Sequence, residues 1–246
     1  MASADLPAGL LDALRQAGRV VFLTGAGVSA ESGVPTFRDA MTGLWAKFRP
    51  EELATPQAFA RDPQRVWDWY RERRMRVAAV APNPGHQAIT QLQTRLAGLQ
   101  LVTQNVDGLH QRAGSTDVIE FHGNLFANRC RGCGHESRHD DPGLPAPPAC
   151  PGCGGLMGPG VVWFGEAIPA TALARASEAA QQAEVFISVG TSGMVYPAAG
   201  LASVAREAGA MLVEINLEPT PLSLLVDYHL GGASAVILPR LAFELL

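Results

Sequence analysis

Short apolar runs alternate along the chain with longer stretches in which apolar residues recur every three or four positions. The runs at residues 20–23, 100–103, 118–121, 185–189 and 211–215 are too short for helices and read as buried strands. An extended piece at 161–164 and a last strand at 236–238 complete the set. Helical periodicity marks 5–15, where Leu6, Leu10, Leu11 and Leu14 share a face, and 85–96, where Ala88, Ile89, Leu92 and Leu96 do. It also marks 170–182 and 197–208. Strands alternating with helices predict an α/β fold, a doubly wound parallel sheet covered on both faces.

Two stretches break this rhythm. Between residues 34 and 82 aromatics, prolines and charges take over, and a helix expected at 57–79 is broken near Asp62-Pro63. Residues 124–158 are polar, with a Pro-rich run from Asp140 to Pro148. The chain therefore divides into a sheet-forming part, residues 1–33, 80–122 and 159–246, and a small inserted part. The latter joins a helical module, 34–79, to a ribbon, 123–158.

The first strand runs into Thr24-Gly25-Ala26-Gly27, after which Val28 to Ser32 could open a helix with free N–H groups facing an anion. Gly25-x-Gly27-x-x-Ala30 fits a dinucleotide fingerprint, in which Gly25 and Gly27 would let a ligand approach the main chain. The acidic ribose ligand that usually follows about 20 residues later is missing. Pro35, Pro50 and Pro56 interrupt the chain and no strand ends near Trp45, so the ribose must be held from elsewhere. Thr24-Gly25, Gln104-Asn105, His122, Thr191-Ser192 and Asn216 each close a predicted strand, at the end where such sheets bind ligands. Asn105 and Asp107 suit an amide or a ribose, although both also cap helices well. His122 is the best-placed general base, since an ordinary His titrates near pH ~6.5. His229 competes for that role, while His86 and His110 read as structural.

Composition narrows the classes. The 246 residues are 47% hydrophobic with a net charge of −4, which argues against a broad nucleic-acid face. No charged leader precedes an apolar core at the N-terminus, and no apolar run is long enough to span a bilayer. A cytoplasmic monomer without membrane or nucleic-acid partners is expected. All four cysteines fall in one pattern, Cys130-x2-Cys133-x16-Cys150-x2-Cys153. In a reducing compartment that spacing reads as one tetrahedral zinc site, structural because four thiolates close its shell. His135 and His139 lie in the same ribbon as alternative ligands.

The motifs in order resemble those of the sirtuins, NAD-dependent protein-lysine deacylases, along almost the whole chain. Gly25-Ala26-Gly27-Val28-Ser29-x-x-Ser32-Gly33-x-Pro35-x-Phe37-Arg38 resembles the family's NAD loop. Thr103 to His110 resembles its T-Q-N-[IV]-D-x-L-H element, and His122-Gly123 its catalytic histidine. The cysteines, Phe164-Gly165-Glu166, Gly190-Thr191-Ser192 and Asn216-Leu217-Glu218 follow as in the family. The resemblance implies a Rossmann-type sheet with an inserted helical and zinc-ribbon part. It implies that Gly25, Ala26, Gly27, Ser29, Phe37 and Arg38 hold the pyrophosphate and nicotinamide ribose of NAD, and that Gln104, Asn105 and Asp107 hold the nicotinamide. The adenosine half falls to Gly190, Thr191, Ser192, Asn216, Leu217 and Glu218, with Ser234 near the adenine. The acylated-lysine substrate would lie as an added strand between Phe164-Gly165-Glu166 and Gly193-Met194. Its acyl oxygen attacks C1′ of the ribose, nicotinamide leaves, and His122 serves as base toward free lysine and 2′-O-acyl-ADP-ribose.

Tyr70 and Arg73, three apart on the 57–79 helix, match a Tyr-x-x-Arg pair of relatives that remove succinyl, malonyl or glutaryl groups. Ala54 matches a small residue that widens the acyl pocket there, and acetyl-lysine stays a possible substrate. Arg71, Arg73, Arg74 and Arg76 could instead merely solvate a helix face. Gly158 stands where many relatives have Arg, which leaves the packing of ribbon on sheet open. The rival readings are a dehydrogenase, an NAD-dependent protein ADP-ribosyltransferase, and a non-catalytic NAD or ADP-ribose binding module.

Overall fold

The computed structural model describes residues 6–35, 50–96, 98–138 and 141–245. Its strands are β1 (Val20–Thr24), β2 (Leu99–Thr103), β3 (Ile119–Glu120), β4 (Gly123–Cys130), β5 (Glu136–Arg138), β6 (Met157–Val161), β7 (Val185–Val189), β8 (Met211–Asn216) and β9 (Tyr228–Gly231). Six of them form one sheet in the order β3-β2-β1-β7-β8-β9, and every pairing in it is parallel. Numbered within that sheet the order is 3-2-1-4-5-6, the arrangement of dinucleotide-binding folds, with its switch point between β1 and β7.

Every residue of β1 and of β7 is buried, because helices cover both faces. Val20 and Phe22 point to one layer, where α1 (Ala8–Gln16), α6 (Pro84–Arg95) and α10 (Ser234–Glu244) bring Leu10, Leu14, Ile89, Leu92, Leu238 and Leu241. Val21 and Leu23 point to the other, packed by Ala176 and Ala180 of α8 (Ala170–Gln182) and Leu201 and Ala205 of α9 (Gly200–Glu207). The two-residue alternation of a strand thus feeds two separate cores. Among the described residues, no helix is long and apolar enough to cross a membrane.

The expected strand at 236–238 is corrected: those residues lie inside α10, and the sixth strand is β9. A three-residue apolar run does not distinguish the two, and Ile237, Leu238, Leu241 and Ala242 all pack at helical spacing. The half-buried alternation of β9 marks an edge strand. The extended piece expected at 161–164 overlaps β6 at Val161 alone. The ribbon is also more regular than its sequence suggested. Its eight-residue β4 sits between β5 and β6 in a three-stranded antiparallel sheet.

Against the small sheet packs a helical module of α3 (Pro50–Leu53), α4 (Pro56–Arg61) and α5 (Pro63–Ala78), in which α5 meets β4 and β6. The break near Asp62-Pro63 has a local cause. The Thr55 and Asp62 side chains each accept the N–H of a residue in the first turn, at 3.1 Å, and each following helix starts on a proline. The arginines at 71, 73, 74 and 76 of α5 do not share one fate. Arg71 pairs with Asp68 at 3.4 Å and Arg76 with Glu72, both on the surface. Arg74 is fully buried: its Nε donates to the Leu125 carbonyl at 2.5 Å, its Nη2 to Asn128 Oδ1 at 2.9 Å, and its guanidinium lies 4.5 Å from the Trp67 ring. This residue pins α5 to β4. Arg74→Met is expected to lower the unfolding free energy by about 3 kcal/mol, since charged hydrogen bonds are lost and buried acceptors left unpaired. Urea denaturation measures it, and a loss below about 0.5 kcal/mol would be that of a solvated surface arginine.

Candidate active site

The turn after β1 lies directly against the turn after β7. Gly25 N–H donates to the Val189 carbonyl at 2.9 Å and Gly27 N–H to the Gly190 carbonyl at 2.8 Å. A Cβ on Gly25 would come within 2.8 Å of the Gly190 carbonyl oxygen, and one on Gly27 within 2.7 Å of the Gly190 Cα. Neither glycine has a positive φ; Gly190 does, at 59°. The fingerprint glycines are therefore small to fit the backbone at Gly190. The helix that follows, α2 (Gly27–Ala30), is a single turn.

Carboxamides tie the strand ends around this turn. Gln104 Nε2 donates to Thr191 Oγ1 at 3.0 Å, Asn216 Nδ2 to the Thr191 carbonyl at 2.8 Å, and Asn105 Nδ2 to the Gly25 carbonyl at 3.0 Å. Ser192, Leu217 and Glu218 are exposed at the rim. Ser234 is buried, its hydroxyl donating to Glu31 Oε2 at 3.3 Å beside the start of α10. Uncharged amides and hydroxyls from β1, β2, β7 and β8, with Asp107 and Glu218 nearby, form a donor set that fits the amide and ribose groups of a dinucleotide. Phe37 and Arg38 lie outside the described residues.

Beneath the turn runs a buried polar chain. Ser29 Oγ donates to Asp107 Oδ2 at 2.8 Å and accepts from Asn105 Nδ2 at 3.1 Å. Asp107 Oδ1 accepts the Leu109 N–H at 2.9 Å, at the start of α7 (Leu109–Arg112), whose N-cap is Gly108. Burial pushes its carboxyl above the usual carboxylate range, opposed by these hydrogen bonds. His86 Nδ1 accepts the Asn83 N–H at 3.3 Å, which leaves Nε2 to donate to Ser29 Oγ at 3.3 Å. Thr24 Oγ1 donates to Thr103 Oγ1 at 2.8 Å, so His110 Nε2 is the donor to Thr24 at 3.0 Å. Burial holds His86 down to about 4 and His110 down to about 3, so both rings are neutral at pH 7.

His122 differs from those two. It is half-buried at the end of β3, and its Nδ1 meets the Gln104 carbonyl at 3.0 Å. A carbonyl only accepts, so Nδ1 carries the proton and Nε2 is left as the basic nitrogen. Burial lowers its pKa and the carbonyl contact partly restores it, which keeps the ring neutral at pH 7.

A second pocket wall comes from α5 and the strand end after β6. Tyr70 is buried, and Trp163 Nε1 donates to its hydroxyl at 3.0 Å. Burial pushes the Tyr70 phenol up to about 12, so it keeps its proton. The Arg73 guanidinium lies 4.7 Å from the Trp69 ring and 5.8 Å from the Tyr70 ring. Its pKa is lowered by burial, against the opposing influence of Tyr70 and Asp107. Ala54 is buried in the same cluster, and its carbonyl accepts the Phe164 N–H at 3.0 Å. Phe164 and Gly165 are exposed, as are Met194, Val195 and Tyr196 on the facing loop beyond Gly193. The Glu166 side chain folds back on its own loop: Oε2 accepts from Trp163 N at 2.9 Å and from Arg129 at 2.7 Å, and Oε1 from Arg131 at 2.8 Å.

The four cysteine sulfurs all lie within 4.8 Å of one another. Cys130 and Cys153 Sγ are 3.4 Å apart and Cys133 and Cys150 Sγ 3.6 Å, far beyond a bonded ~2.05 Å and close to the ~3.8 Å edge of a ZnS4 tetrahedron. Backbone N–H groups of Cys133 and Gly132 help draw the Cys130 thiol down, while hydrogen bonds within the cluster push the Cys133 and Cys153 thiols up, so the metal-free set shares protons that a bound metal would displace. These residues fit one zinc ion. His135, in the same ribbon, is not in the cluster, and His139 lies outside the described residues. The sequence reading passed over Trp163 and Arg131. The signal available was Gly158, whose missing side chain is where Arg131 packs: a Cβ there would come 2.8 Å from Arg131 Nε.

Comparison with known proteins agrees with this geometry. A model of the Sir2 family matches residues 25–197. An NAD-dependent protein deacylase of Ralstonia nicotianae is 56% identical over 230 residues, 93% of this chain and 92% of its own length. One of Aquifex aeolicus is 56% identical, with 85% and 88% covered, and NAD-dependent protein deacylase 1 of Pseudomonas aeruginosa 50%, with 94% and 96%. A Sir2 homologue solved with NAD superposes with a TM-score of 0.91 at 44% identity, over 100% of this chain and 96% of the other. A Sir2 structure with a deacetylated p53 peptide and 3′-O-acetyl ADP-ribose gives 0.84 at 31% identity, over 96% and 97%.

Because burial lowers the His122 pKa, kcat/KM is expected to lose its acid limb with a midpoint below the ordinary 6.5, as protonation of Nε2 removes the base. A pH–rate profile measures this. A midpoint above 7 would assign the limb to another group.

Proposed function

This chain belongs to the Sir2 family and is an NAD-dependent protein deacylase, and we propose that it prefers lysines whose acyl group ends in a carboxylate, as succinyl, malonyl and glutaryl groups do. The observation that carries the preference is the Tyr70–Arg73 pair on one face of α5. A partly buried guanidinium gains most from a carboxylate it can meet with two parallel hydrogen bonds. Tyr70 adds a protonated hydroxyl beside it. Ala54 contributes a small side chain to the same wall, and Asp107 acts electrostatically on Arg73, which sets the acyl end close to the nicotinamide side. Among the described residues of this wall none repels a small neutral acyl group, so acetyl-lysine is a second, slower substrate.

NAD, when bound, supplies the ribose carbon that accepts the acyl oxygen as nicotinamide departs. The residues of this chain do the rest. Gly25, Ala26, Gly27, Phe37 and Arg38 take the pyrophosphate and nicotinamide ribose, with Ser29 steadying Asp107 from below. Gln104, Asn105 and Asp107 take the nicotinamide amide, and Gly190, Thr191, Ser192, Asn216, Leu217, Glu218 and Ser234 the adenosine half. His122 accepts a ribose hydroxyl proton at Nε2, its tautomer set by the Gln104 carbonyl. Phe164-Gly165-Glu166 and Gly193-Met194 offer main chain on both sides of a substrate strand. Residues 34–79 and 123–158 carry the acyl specificity, and 1–33, 80–122 and 159–246 the NAD site.

Two peptides, one with succinyl-lysine and one with acetyl-lysine, separate the outcomes when followed by mass with NAD present and nicotinamide release measured in parallel. Faster loss of succinyl is expected. Nicotinamide release with both peptides intact would favour ADP-ribosyl transfer instead. Arg73→Met is expected to lower kcat/KM about 10- to 100-fold on the succinyl peptide and far less on the acetyl peptide. Equal losses on both would take Arg73 out of the acyl pocket. His122→Ala should abolish both activities while the protein stays folded.

A further inference from the structure

Arg131 belongs to the first zinc knuckle, between Cys130 and Cys133, yet its side chain leaves the knuckle for the acyl pocket. Its guanidinium carbon lies 3.5 Å from the centroid of the Trp163 ring. Its Nη1 donates to Glu166 Oε1 at 2.8 Å and its Nη2 to the Pro159 carbonyl at 2.6 Å. One planar cation is therefore held by a ring, a carboxylate and a main-chain oxygen at once, which fixes its orientation as a lysine ammonium would not. Trp163 is pressed between this cation and Tyr70, to whose hydroxyl it donates at 3.0 Å. Phe59 packs on the same indole, ring centroids 5.5 Å apart. Glu166, the other end of the clamp, also takes the Trp163 N–H and Arg129, so the loop from 163 to 166 closes around Arg131.

We propose that Arg131 is a positioning residue for acyl recognition: it holds the Trp163 indole at the angle that aims the Tyr70 hydroxyl into the acyl pocket, and it fixes the loop edge on which the substrate strand lies. The zinc knuckle is then part of substrate selection as well as of stability. Gly158 is the space that admits the clamp. The inference rests on the acyl-pocket reading of Tyr70 and Arg73 given above.

The test is Arg131→Met, compared with Arg131→Lys, in the full zinc-loaded chain. Zinc content is measured by metal analysis, peptide affinity by calorimetry, and kcat and KM on both peptides. With zinc retained, Arg131→Met is expected to raise Kd and KM for the succinyl peptide about tenfold and for the acetyl peptide about threefold or less, with kcat within about twofold. Arg131→Lys, which keeps the charge and loses the fork, recovers little of this. Unchanged peptide affinity overturns the proposal, as does a lysine variant equal to the wild type. A joint fall of zinc content, kcat and both affinities would make the residue merely structural and overturns it too. If Arg131→Met does not fold, Trp163→Phe deletes the indole N–H instead, and an unchanged succinyl KM in that variant overturns the proposal. A wild type without succinyl preference would sink the acyl reading alone. A rise of KM in Arg131→Met on whichever peptide is turned over, with zinc retained, would still uphold the clamp.

Discussion

A Cβ on Gly190 would lie 2.5 Å from the Val28 nitrogen, just as Cβ atoms on Gly25 and Gly27 would run into Gly190. Three glycines in mutual contact let the turns after β1 and β7 interleave at the switch point of the sheet. The rest of the site is indexed to that contact. The Gly25 carbonyl is the anchor of Asn105, and Thr191, the residue after Gly190, anchors both Gln104 and Asn216. Strand ends from β2 and β8 are thereby brought to the same level as those of β1 and β7. A side chain at any of the three positions would part the turns and misplace four elements together.

Positive charge is kept away from the floor of this crevice. The His86 and His110 rings meet at a tilt with centroids 4.8 Å apart, and two cations at that distance in a dry interior would repel strongly. Both stay neutral, each with an assigned tautomer, and they hand hydrogen bonds to Ser29 and Thr24 without adding charge. His122 lies at the rim, where partial burial lowers its pKa less than full burial lowers theirs. The three histidines share a chemistry and differ by depth. Depth separates the structural rings from the one suited to take a proton.

Much of this was legible in the chain because the signals were local or tightly spaced. The strands of the large sheet were apolar runs bounded by polar turns, and the cysteine spacing named its own metal. His122 stood at a strand end with glycine after it. What escaped was decided by partners far away in sequence. The segment at 236–238 is apolar enough for a strand, and only its packing against α6, α2 and β8 makes it helix. The partners of the Ser29 hydroxyl, Asp107 and His86, come from two other elements and left no mark in the glycine loop's own sequence. Arg71, Arg73, Arg74 and Arg76 form one charge run in sequence, and their separate roles follow from which flank of α5 meets β4.

Neighbouring residues on a helix point about 100° apart, so Arg74 can bury its head against Leu125 and Asn128 while Arg73 lies beside the Trp69 and Tyr70 rings. The helix cannot roll to relax one without tearing the other from its partners. The sheet that receives Arg74 has a slender core of its own at its far end, where the buried cluster is Cys130, Cys150 and Met157. A tetrathiolate zinc site worth on the order of 10 kcal/mol is the source of order large enough to hold that end. Order therefore passes from the metal to β4, from β4 through Arg74 to α5, and from α5 to Tyr70 and Arg73.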